Sequence, residues 1–365
     1  MSTEIKLTQR LFLDHGKDIE RVLQRAVNHA LLMHKRLGNP IATWKDGRVV
    51  IVPPEEIVIP TDVTEPTNNL PSHRAGHVAF IGRPNAGKST LLNRLVGEKI
   101  AAVSNKPQTT RFKILGIVTR PEGQIVLVDT PGVHKPGYEL NRRMMTAVHD
   151  ALMGVDLVCL MRDASAATGN GDRFVLDLVK QSEKPALLLL NKTDKLKDKS
   201  QLLPLIEWYQ SEHEWQSVVP ISALKGDQIE RLLAEMTQYL PEGPPIYSED
   251  EFTDQPMRAL ASEIVREKIL ETTGEEIPYV TAVVTERFEE VREDFVRIYC
   301  TIFVERGSQK KIIIGHGAQR LKEIGIRARH DIENLLGHRC HLELFVKVEK
   351  DWRERAHLLD EMGIK

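Results

Sequence analysis

The chain has 365 residues, which is enough for two folded domains and an appended segment. Its 50 Lys and Arg residues are nearly balanced by 52 Asp and Glu residues, so the formal net charge is −2. Global charge therefore does not indicate nucleic-acid binding, and any RNA site has to be a local basic patch. No apolar run is long enough to cross a bilayer, and the N-terminus lacks a signal-peptide pattern.

The three cysteines, Cys159, Cys300 and Cys340, are far apart in the sequence and show no paired spacing. This distribution favours buried, reduced thiols over a metal site or a disulfide framework. We therefore expect a soluble cytoplasmic protein. Peripheral contact with the inner face of the cell membrane remains an open alternative.

The first 58 residues predict a helix followed by a hairpin. Apolar residues recur at helical spacing over residues 17–36, and Gly38-Asn39-Pro40 ends that pattern. Runs 41–44 and 49–52 flank an Asp-Gly turn, and proline-rich residues that follow indicate a linker over 59–75. His29 and His34 are five residues apart and fall on different helix faces, so we interpret them as ordinary histidines rather than metal ligands.

A phosphate-binding loop, G-x-x-x-x-G-K-[ST], follows the apolar run 77–81 and precedes a predicted helix. Its glycines let backbone N–H groups cradle phosphates, Lys88 reaches the terminal phosphates, and the Ser89 hydroxyl is placed to ligate magnesium. Alone, the loop does not separate an ATPase or kinase from a GTPase. The predicted nucleotide contacts of this segment are Gly82, Arg83, Pro84, Asn85, Ala86, Gly87, Lys88, Ser89 and Thr90.

A guanine-binding motif, residues 191–194, follows the apolar run 185–190 at the edge where open α/β sheets bind ligands. The Asp194 carboxylate can accept hydrogen bonds from guanine N1 and the N2 amino group, a donor pair that adenine lacks. The ordered motifs therefore predict a GTPase and disfavour an ATP-dependent kinase. The predicted base contacts are Asn191, Lys192, Thr193, Asp194, Ser222, Ala223 and Leu224.

Two further segments complete the predicted site. Asp129, at the end of strand 125–128, is expected to hold magnesium through water, and the Gly132 N–H to contact the γ-phosphate. Residues 106–111 have the composition of a switch, in which Thr110, with Thr109 as the fallback, supplies a magnesium ligand. The predicted metal ligands are thus Ser89, Thr110 and Asp129. The predicted nucleotide contacts of the segment after strand 125–128 are Asp129, Thr130, Pro131, Gly132 and Val133.

Strands alternate with helices from residue 76 to about 242, which predicts an α/β domain with a doubly wound, mostly parallel sheet. Prolines at 241–245 mark a boundary. The remainder, 250–365, reads as a helix over 256–272, β-runs at 279–288, 295–304 and 311–314, a helix to about 336, and a strand over 340–348. This is an α+β pattern.

A glycine-bearing turn, residues 315–318, precedes the helix that ends near 336, and positive charge surrounds it. Such a turn fits a backbone clamp for single-stranded RNA, although a tight turn with solvated charges is the alternative. The predicted RNA contacts are Lys310, Lys311, Gly315, His316, Gly317, Ala318, Arg320 and Lys322.

Residues 76–365 resemble the Era family of bacterial GTPases, through motifs 106–111, 254–256 and 341–348. The resemblance implies a Ras-like P-loop GTPase domain followed by a type II KH domain. It also implies binding of GTP and GDP, binding near the 3′ end of small-subunit ribosomal RNA, and a role in small-subunit assembly. The alternative is a regulatory GTPase whose C-terminal domain binds a protein or the membrane surface.

Two positions depart from the expected patterns. The KH clamp is Gly-x-x-Gly, and Ala318 occupies its last position; residues before 76 also lie outside the family pattern. Val133 occupies the position where many GTPases have a water-positioning glutamine, so slow hydrolysis is expected to depend on electrostatics. The expected catalytic groups are Lys88, Ser89, Thr110 and Asn85, with Mg²⁺ as cofactor and K⁺, held by Asn85, as a further hypothesis.

Overall fold

The computed structural model describes residues 31, 40–45, 48–58, 73–106, 109–132, 138–274 and 276–361. The chain divides into two compact units, Met1–Pro71 and Ser72–Lys365. Within the described residues, no helix has the length and apolar character needed to span a membrane.

The described part of the first unit is an antiparallel hairpin. It consists of β1 (Ile41–Lys45) and β2 (Arg48–Val52), followed by a 3₁₀ turn at Pro54–Glu56. This confirms the predicted hairpin strands. The Asp-Gly turn, the predicted helix 17–36 apart from residue 31, and residues 59–72 of the predicted linker lie outside the described residues.

A six-stranded sheet forms the centre of the second unit, and its strands are buried on both faces, as their apolar sequences require. The strand order is β4-β5-β3-β6-β7-β8, with β4 antiparallel to β5 and the other neighbours parallel. This confirms the mostly parallel sheet. The strands are β3 (Arg74–Gly82), β4 (Ile114–Arg120), β5 (Gly123–Asp129), β6 (Leu157–Asp163), β7 (Ala186–Asn191) and β8 (Ser217–Pro220).

Helices cover both faces of this sheet. Because β5 and β6 flank β3 on opposite sides, the connections diverge at the carboxyl end of β3, the position where doubly wound sheets bind ligands. The helices are α1 (Lys88–Val96), α2 (Glu139–Met153), α3 (Asn170–Ser182), α4 (Leu202–Glu212) and α5 (Ile229–Gln238).

The C-terminal domain has a three-stranded sheet in which the central strand β10 is antiparallel to β9 and parallel to β11. Helices α6 and α9 pack on this sheet through a shared apolar core. The elements are α6 (Met257–Thr272), α7 (Ile277–Val280), β9 (Ala282–Arg292), β10 (Phe295–Val304), α8 (Gly307–Ile314), α9 (Gln319–Leu336), β11 (Arg339–Val348) and α10 (Ala356–Glu361).

The structure corrects two predicted strand segments in this domain. Residues 311–314 belong to helix α8, because the Gln309 side chain accepts hydrogen bonds from the N–H groups of Glu305 and Arg306, both at 2.9 Å, and so caps the helix start. A short apolar run fits helix and strand equally well. The predicted strand 279–288 begins only at Ala282, since Pro278 in the first turn favours the short helix α7.

The segment between the two domains lies along the sheet edge. The Gln124 side chain accepts hydrogen bonds from the N–H groups of Ile246 and Tyr247 at 2.7 and 2.8 Å. The Ile117 N–H donates to Phe252 O at 2.9 Å, so the segment partly covers edge strand β4. These contacts hold the connecting segment against the first of the two domains.

Candidate nucleotide site and RNA groove

The phosphate-binding loop connects β3 to α1, and two of its positions require glycine. A Cβ at Gly82 would lie 2.5 Å from Met161 O, and one at Gly87, where φ is 105°, would lie 2.2 Å from Asn191 Nδ2. Lys88 is buried, with Nζ 3.3 Å from Gly82 O and 3.4 Å from Arg83 O. The loop backbone thus directs the Lys88 ammonium group toward the space where phosphates bind.

Three oxygen-bearing side chains converge beside Lys88. Ser89 Oγ donates to Asp129 Oδ2 at 2.6 Å and lies 2.8 Å from Thr110 Oγ1, which in turn is 3.3 Å from Asp129 Oδ2. Asp129 Oδ1 is buried and has no hydrogen-bond partner within the described residues. Hydroxyl and carboxylate oxygens with such an orphaned acceptor fit a magnesium ion.

The structure separates the two candidate switch threonines. Thr110 is buried in the oxygen cluster, whereas the Thr109 hydroxyl donates to Lys106 O at 2.7 Å within its own loop. Thr110 is therefore the threonine that can reach a cation held by Ser89. No cluster of three His, Cys, Asp or Glu ligands occurs in the described part of the chain.

Burial dominates the electrostatics of this cluster. Desolvation lowers the pKa of Lys88 despite the nearby Asp129 carboxylate. Desolvation also raises the pKa of Asp129, although Lys88 and hydrogen bonds from Ser89 and Thr110 partly oppose it. Both charged forms are thus costly by themselves. A polyanion beside Lys88 and a divalent cation beside Asp129 would stabilise both, which fits a magnesium–triphosphate ligand.

The guanine motif is held against the phosphate loop. Asn191 Nδ2 donates to Ala86 O at 2.8 Å, and Asn191 Oδ1 accepts from the Ala223 N–H at 3.0 Å. Lys192 Nζ donates to Asn85 O and to Asp163 Oδ2, both at 2.6 Å. These side chains fix the distance between the phosphate loop and the base-binding loops, as one bound nucleotide requires.

Asp194, the residue predicted to select the base, is held in place by its neighbours. Ser222 Oγ donates to Asp194 Oδ1 at 2.6 Å, and the Thr193 N–H and hydroxyl donate to Ile221 O. Ala223 is buried, whereas Leu224 is exposed. Asp194 is exposed beside this loop and can accept from the guanine N1 and N2 donors.

The remaining predicted contacts lie around the same space, apart from Val133, which lies outside the described residues. The Thr130 hydroxyl donates to Phe80 O at 2.7 Å, and Gly132 packs so closely against Pro84 that a Cβ would lie 3.1 Å away. Asn85 Nδ2 donates to Asn105 O at 2.7 Å, which connects the phosphate loop to the switch. The cavity is lined by Pro84, Asn85, Gly87, Lys88, Ser89, Thr90, Ala102, Val103, Ser104, Thr109, Thr110 and Gly132.

The predicted RNA turn lies between α8 and α9. Gly315, Gly317 and Ala318 all have positive φ, at 73°, 54° and 59°. His316 is exposed within the turn, as are Lys311 and Lys322 on the two helices. Because the turn and both helix ends face solvent, backbone N–H groups and cationic side chains are available to a phosphodiester backbone.

A groove runs from this turn between α9 and β11. The exposed apolar side chain of Ile326 accompanies its basic residues. Phe345 of β11 is also exposed, next in sequence to the groove residue Leu344, and Lys310 Nζ lies 5.4 Å from its ring centroid. Arg320 instead donates to Ile312 O and braces the turn. The groove, which the structure brings together as a unit, is lined by Ala318, Leu321, Lys322, Gly325, Ile326, Arg329, Leu342, Glu343 and Leu344.

Comparison with known proteins agrees with this architecture. Residues 77–192 match a family model described as 50S ribosome-binding GTPase, and residues 276–353 match a KH domain. A GTPase Era from Staphylococcus haemolyticus is 45% identical over 294 residues, covering 80% of this chain and 98% of that protein. The chain belongs to the Era family.

Two solved Era structures are similar to this Era-family chain, each at 40% identity and a TM-score of 0.77, covering 80% of this chain and 99% of theirs. One is a variant of Aquifex aeolicus Era bound to GDP and AlF4⁻. The other is Era in complex with MgGDPNP and nucleotides 1506–1542 of 16S ribosomal RNA. The predicted fold, a Ras-like GTPase domain followed by a KH domain, is confirmed, and the chain is a GTPase.

Arg94 is a further candidate residue beside this site in the Era-family chain, and it is not among the residues predicted from the sequence. From α1, Arg94 Nε donates to Ala223 O at 3.3 Å, and its NH2 group donates to Leu224 O at 2.6 Å. The guanidinium therefore connects the helix of the phosphate loop to the loop behind the base. No sequence signal marks Arg94, because its partners lie about 130 residues away.

Proposed function

We propose that this GTPase is a cytoplasmic, magnesium-dependent switch that binds the 3′-terminal region of small-subunit ribosomal RNA and acts in small-subunit assembly. The proposal is supported by one chain carrying both a complete guanine-nucleotide site and a solvent-facing KH groove, and by a similar Era solved with MgGDPNP and 16S RNA. The corresponding domains are residues 76–242 for GTP and 250–365 for RNA, after an extension (1–58) and a linker (59–75).

The proposed nucleotide contacts act in two groups. Lys88 and the loop N–H groups stabilise negative charge on the phosphoryl group that departs, and Asp194 selects guanine. Ser89, Thr110 and Asp129 would hold magnesium, which supplies charge stabilisation at the terminal phosphates when bound. No carboxylate or histidine lines the described cavity as a general base, so slow intrinsic turnover follows.

The proposed RNA contacts are the basic side chains and backbone of the turn 315–318 with Lys310, Lys311, Arg320 and Lys322. Single-stranded RNA recognition combines phosphate contacts with base contacts to apolar or aromatic side chains, and the groove offers both. Exposed Ile326 and Phe345 supply the apolar surface.

An RNA-binding titration tests the proposal. We expect an oligonucleotide from the 3′ end of small-subunit RNA to bind the GppNHp-loaded chain more tightly than a scrambled oligonucleotide. Lys322→Ala should reduce the slope of log K against log salt by about one, whereas Lys199→Ala, an exposed lysine of the GTPase domain, should leave it unchanged. Equal binding of both oligonucleotides would remove the ribosomal assignment, while the GTPase activity would stand.

Potassium is a finer part of the proposal. The Asn85 side chain of the phosphate loop donates to the carbonyl of Asn105, which directly precedes the switch segment 106–111. Amide and carbonyl oxygens are suitable ligands for a potassium ion. A potassium ion there would supply the positive charge that an arginine finger supplies in other GTPases. Equal GTP hydrolysis rates in potassium and sodium buffers would exclude this role.

A regulatory role at the membrane surface is the second candidate. In the first unit, Val49, Ile51 and Val58 are exposed apolar side chains, which could contact a lipid interface. Co-sedimentation of the full chain with anionic vesicles tests it. Loss of co-sedimentation in Val49→Ser with Ile51→Ser would support membrane contact, and no sedimentation of the unaltered chain would exclude it.

A further inference from the structure

The segment that carries Thr110 is held at both ends by the C-terminal domain. Its upstream end is residues 99–103, and its downstream end is Arg111, the residue directly after Thr110. Both ends contact buried groups of the region 263–281. Neither set of contacts belongs to the GTP motifs, and each is independent of the other.

At the downstream end, Arg111 is 2% exposed, and its side chain extends from the GTPase domain to the C-terminal domain. Its NH1 group donates to Thr281 O at 2.7 Å and its NH2 group to Pro278 O at 2.6 Å. The guanidinium also lies 5.5 Å from the centroid of the buried Trp352 ring. One switch residue therefore binds a carbonyl of α7 and the carbonyl of Thr281, the residue that connects α7 to β9.

The positive charge of Arg111 determines where its side chain can lie. An arginine guanidinium stays protonated in proteins, so buried Arg111 is a cation at neutral pH. A buried cation has to keep its hydrogen-bond acceptors, because losing them leaves an unpaired charge in a low dielectric. Arg111 therefore keeps its position only where Pro278 and Thr281 present their carbonyls.

At the upstream end, Glu267 of α6 is the anchor. Its carboxylate, 2% exposed, accepts from the Val103 N–H at 2.8 Å and from Lys99 Nζ at 2.5 Å. Lys99 Nζ also reaches Asp331 of α9 at 2.7 Å. Val103 lines the nucleotide cavity, so Glu267 fixes one wall of the cavity from the C-terminal domain.

We propose that Arg111 is a positioning residue for Thr110, and that Arg111 and Glu267 together set how well the switch presents its hydroxyl to magnesium. The inference depends on the proposed role of Thr110 as a magnesium ligand. Consecutive Cα atoms are about 3.8 Å apart, so an anchored Arg111 leaves Thr110 little freedom to move from the oxygen cluster. Because Thr110 is ordered before magnesium binds, less conformational entropy is lost on binding, and the magnesium ion binds more tightly.

The test uses the full chain and measures release of mant-GppNHp and mant-GDP across a MgCl2 titration. We expect Arg111→Gln and Glu267→Gln each to raise the magnesium concentration needed to retain mant-GppNHp by about tenfold, the scale of one charge-assisted hydrogen bond. Retention of mant-GDP should change less, because the γ-phosphate adds to the contacts that hold the switch against magnesium in GTPases, so Thr110 contributes most to the triphosphate complex. Arg111→Lys, which keeps the charge but cannot span both carbonyls, should give a smaller shift.

Two controls separate positioning from loss of structure. Arg120 forms a surface ion pair with Glu230 at 2.6 and 3.0 Å within the GTPase domain, so Arg120→Gln should shift neither nucleotide. If Arg111 acts through Thr110, Arg111→Gln combined with Thr110→Ala should be no worse than Thr110→Ala alone. Thermal unfolding of every variant checks folding, and Glu267→Gln decides the question if Arg111→Gln unfolds.

Four outcomes would overturn the inference. An equal shift for both nucleotides would assign Arg111 a structural role only. Full additivity with Thr110→Ala would show that the two residues act separately. If Thr110→Ala has no effect, the proposed magnesium ligand is wrong and the inference fails with it. If Thr110→Ala has an effect but neither Arg111→Gln nor Glu267→Gln does, only the inference fails.

Discussion

Replacing Ala318 with glycine should stabilise the chain, although glycine ordinarily weakens a helix interior. Ala318 has φ 59° and ψ 17°, the left-handed region, at the N-cap of α9. A Cβ in that region costs roughly 1–2 kcal/mol, whereas the greater backbone freedom of glycine in the unfolded chain costs about 0.5–1 kcal/mol. The difference predicts that Ala318→Gly raises the free energy of unfolding by about 0.5–1 kcal/mol.

Chemical denaturation measures this difference, and Ala234 provides a matched control. Ala234 is an exposed alanine inside the right-handed helix α5, where glycine is about 1 kcal/mol less favourable than alanine. Ala318→Gly and Ala234→Gly are thus the same chemical change with opposite expected signs. A destabilisation of similar size in both variants would refute the argument from backbone conformation.

The same substitution also tests the RNA groove. The Ala318 methyl group is exposed in the turn, directly where a phosphodiester backbone would approach. Ala318→Gly should tighten RNA binding a few-fold, because a bare backbone allows closer contact with phosphates. Ala234→Gly should leave RNA affinity unchanged, and a weaker complex for Ala318→Gly would show that the methyl group contributes contacts instead.

Three other predictions concern the nucleotide site and the thiols. Asp194→Ala should lower the preference for GTP over ATP by on the order of a hundredfold or more, measured by competition with mant-GDP, and an unchanged preference would contradict the assigned base contact. Arg94→Ala should weaken mant-GDP binding by about fivefold, since two hydrogen bonds to the base loop are lost, with Arg120→Ala as the surface control. Burial raises the pKa of Cys159 above its ordinary value and the pKa of Cys300 and Cys340 to about 11, so near pH 8 all three thiols should resist DTNB until the chain is unfolded. Rapid labelling of the folded chain would show that the thiols are accessible.

The phosphate loop and the guanine motif were readable from sequence because each is contiguous. Gly82 and Gly87 pack against Met161 and Asn191, which are distant in sequence, yet the contiguous G-x-x-x-x-G-K-[ST] motif between a strand and a helix identifies the loop. The parallel strands were likewise readable, since burial on both faces produces continuous apolar runs. Local chemistry and local structure coincide in these segments.

Other elements depend on contacts that sequence does not reveal. Edge strand β4 becomes a strand by pairing antiparallel with β5 and by contact with the segment around Phe252. Helix α8 contains an apolar run of β-branched residues, and its start is decided by the Gln309 side chain. In both cases the hydrogen bonds that decide the structure involve backbone groups, which every residue carries, so the residue types alone do not reveal the partners.

The switch threonines show where this limit falls within a functional site. Thr109 and Thr110 are adjacent and chemically identical, and both lie in a segment rich in hydroxyl groups. The Thr109 hydroxyl closes a local turn to Lys106 O, three residues back, whereas that of Thr110 lies 3.3 Å from Asp129, nineteen residues away. The sequence favours Thr110 over Thr109 as the metal ligand, but it contains nothing that fixes where the Thr110 hydroxyl lies. In the structure the next residue, Arg111, is buried against Pro278 and Thr281, and the proposed anchoring of Thr110 beside Asp129 rests on these contacts.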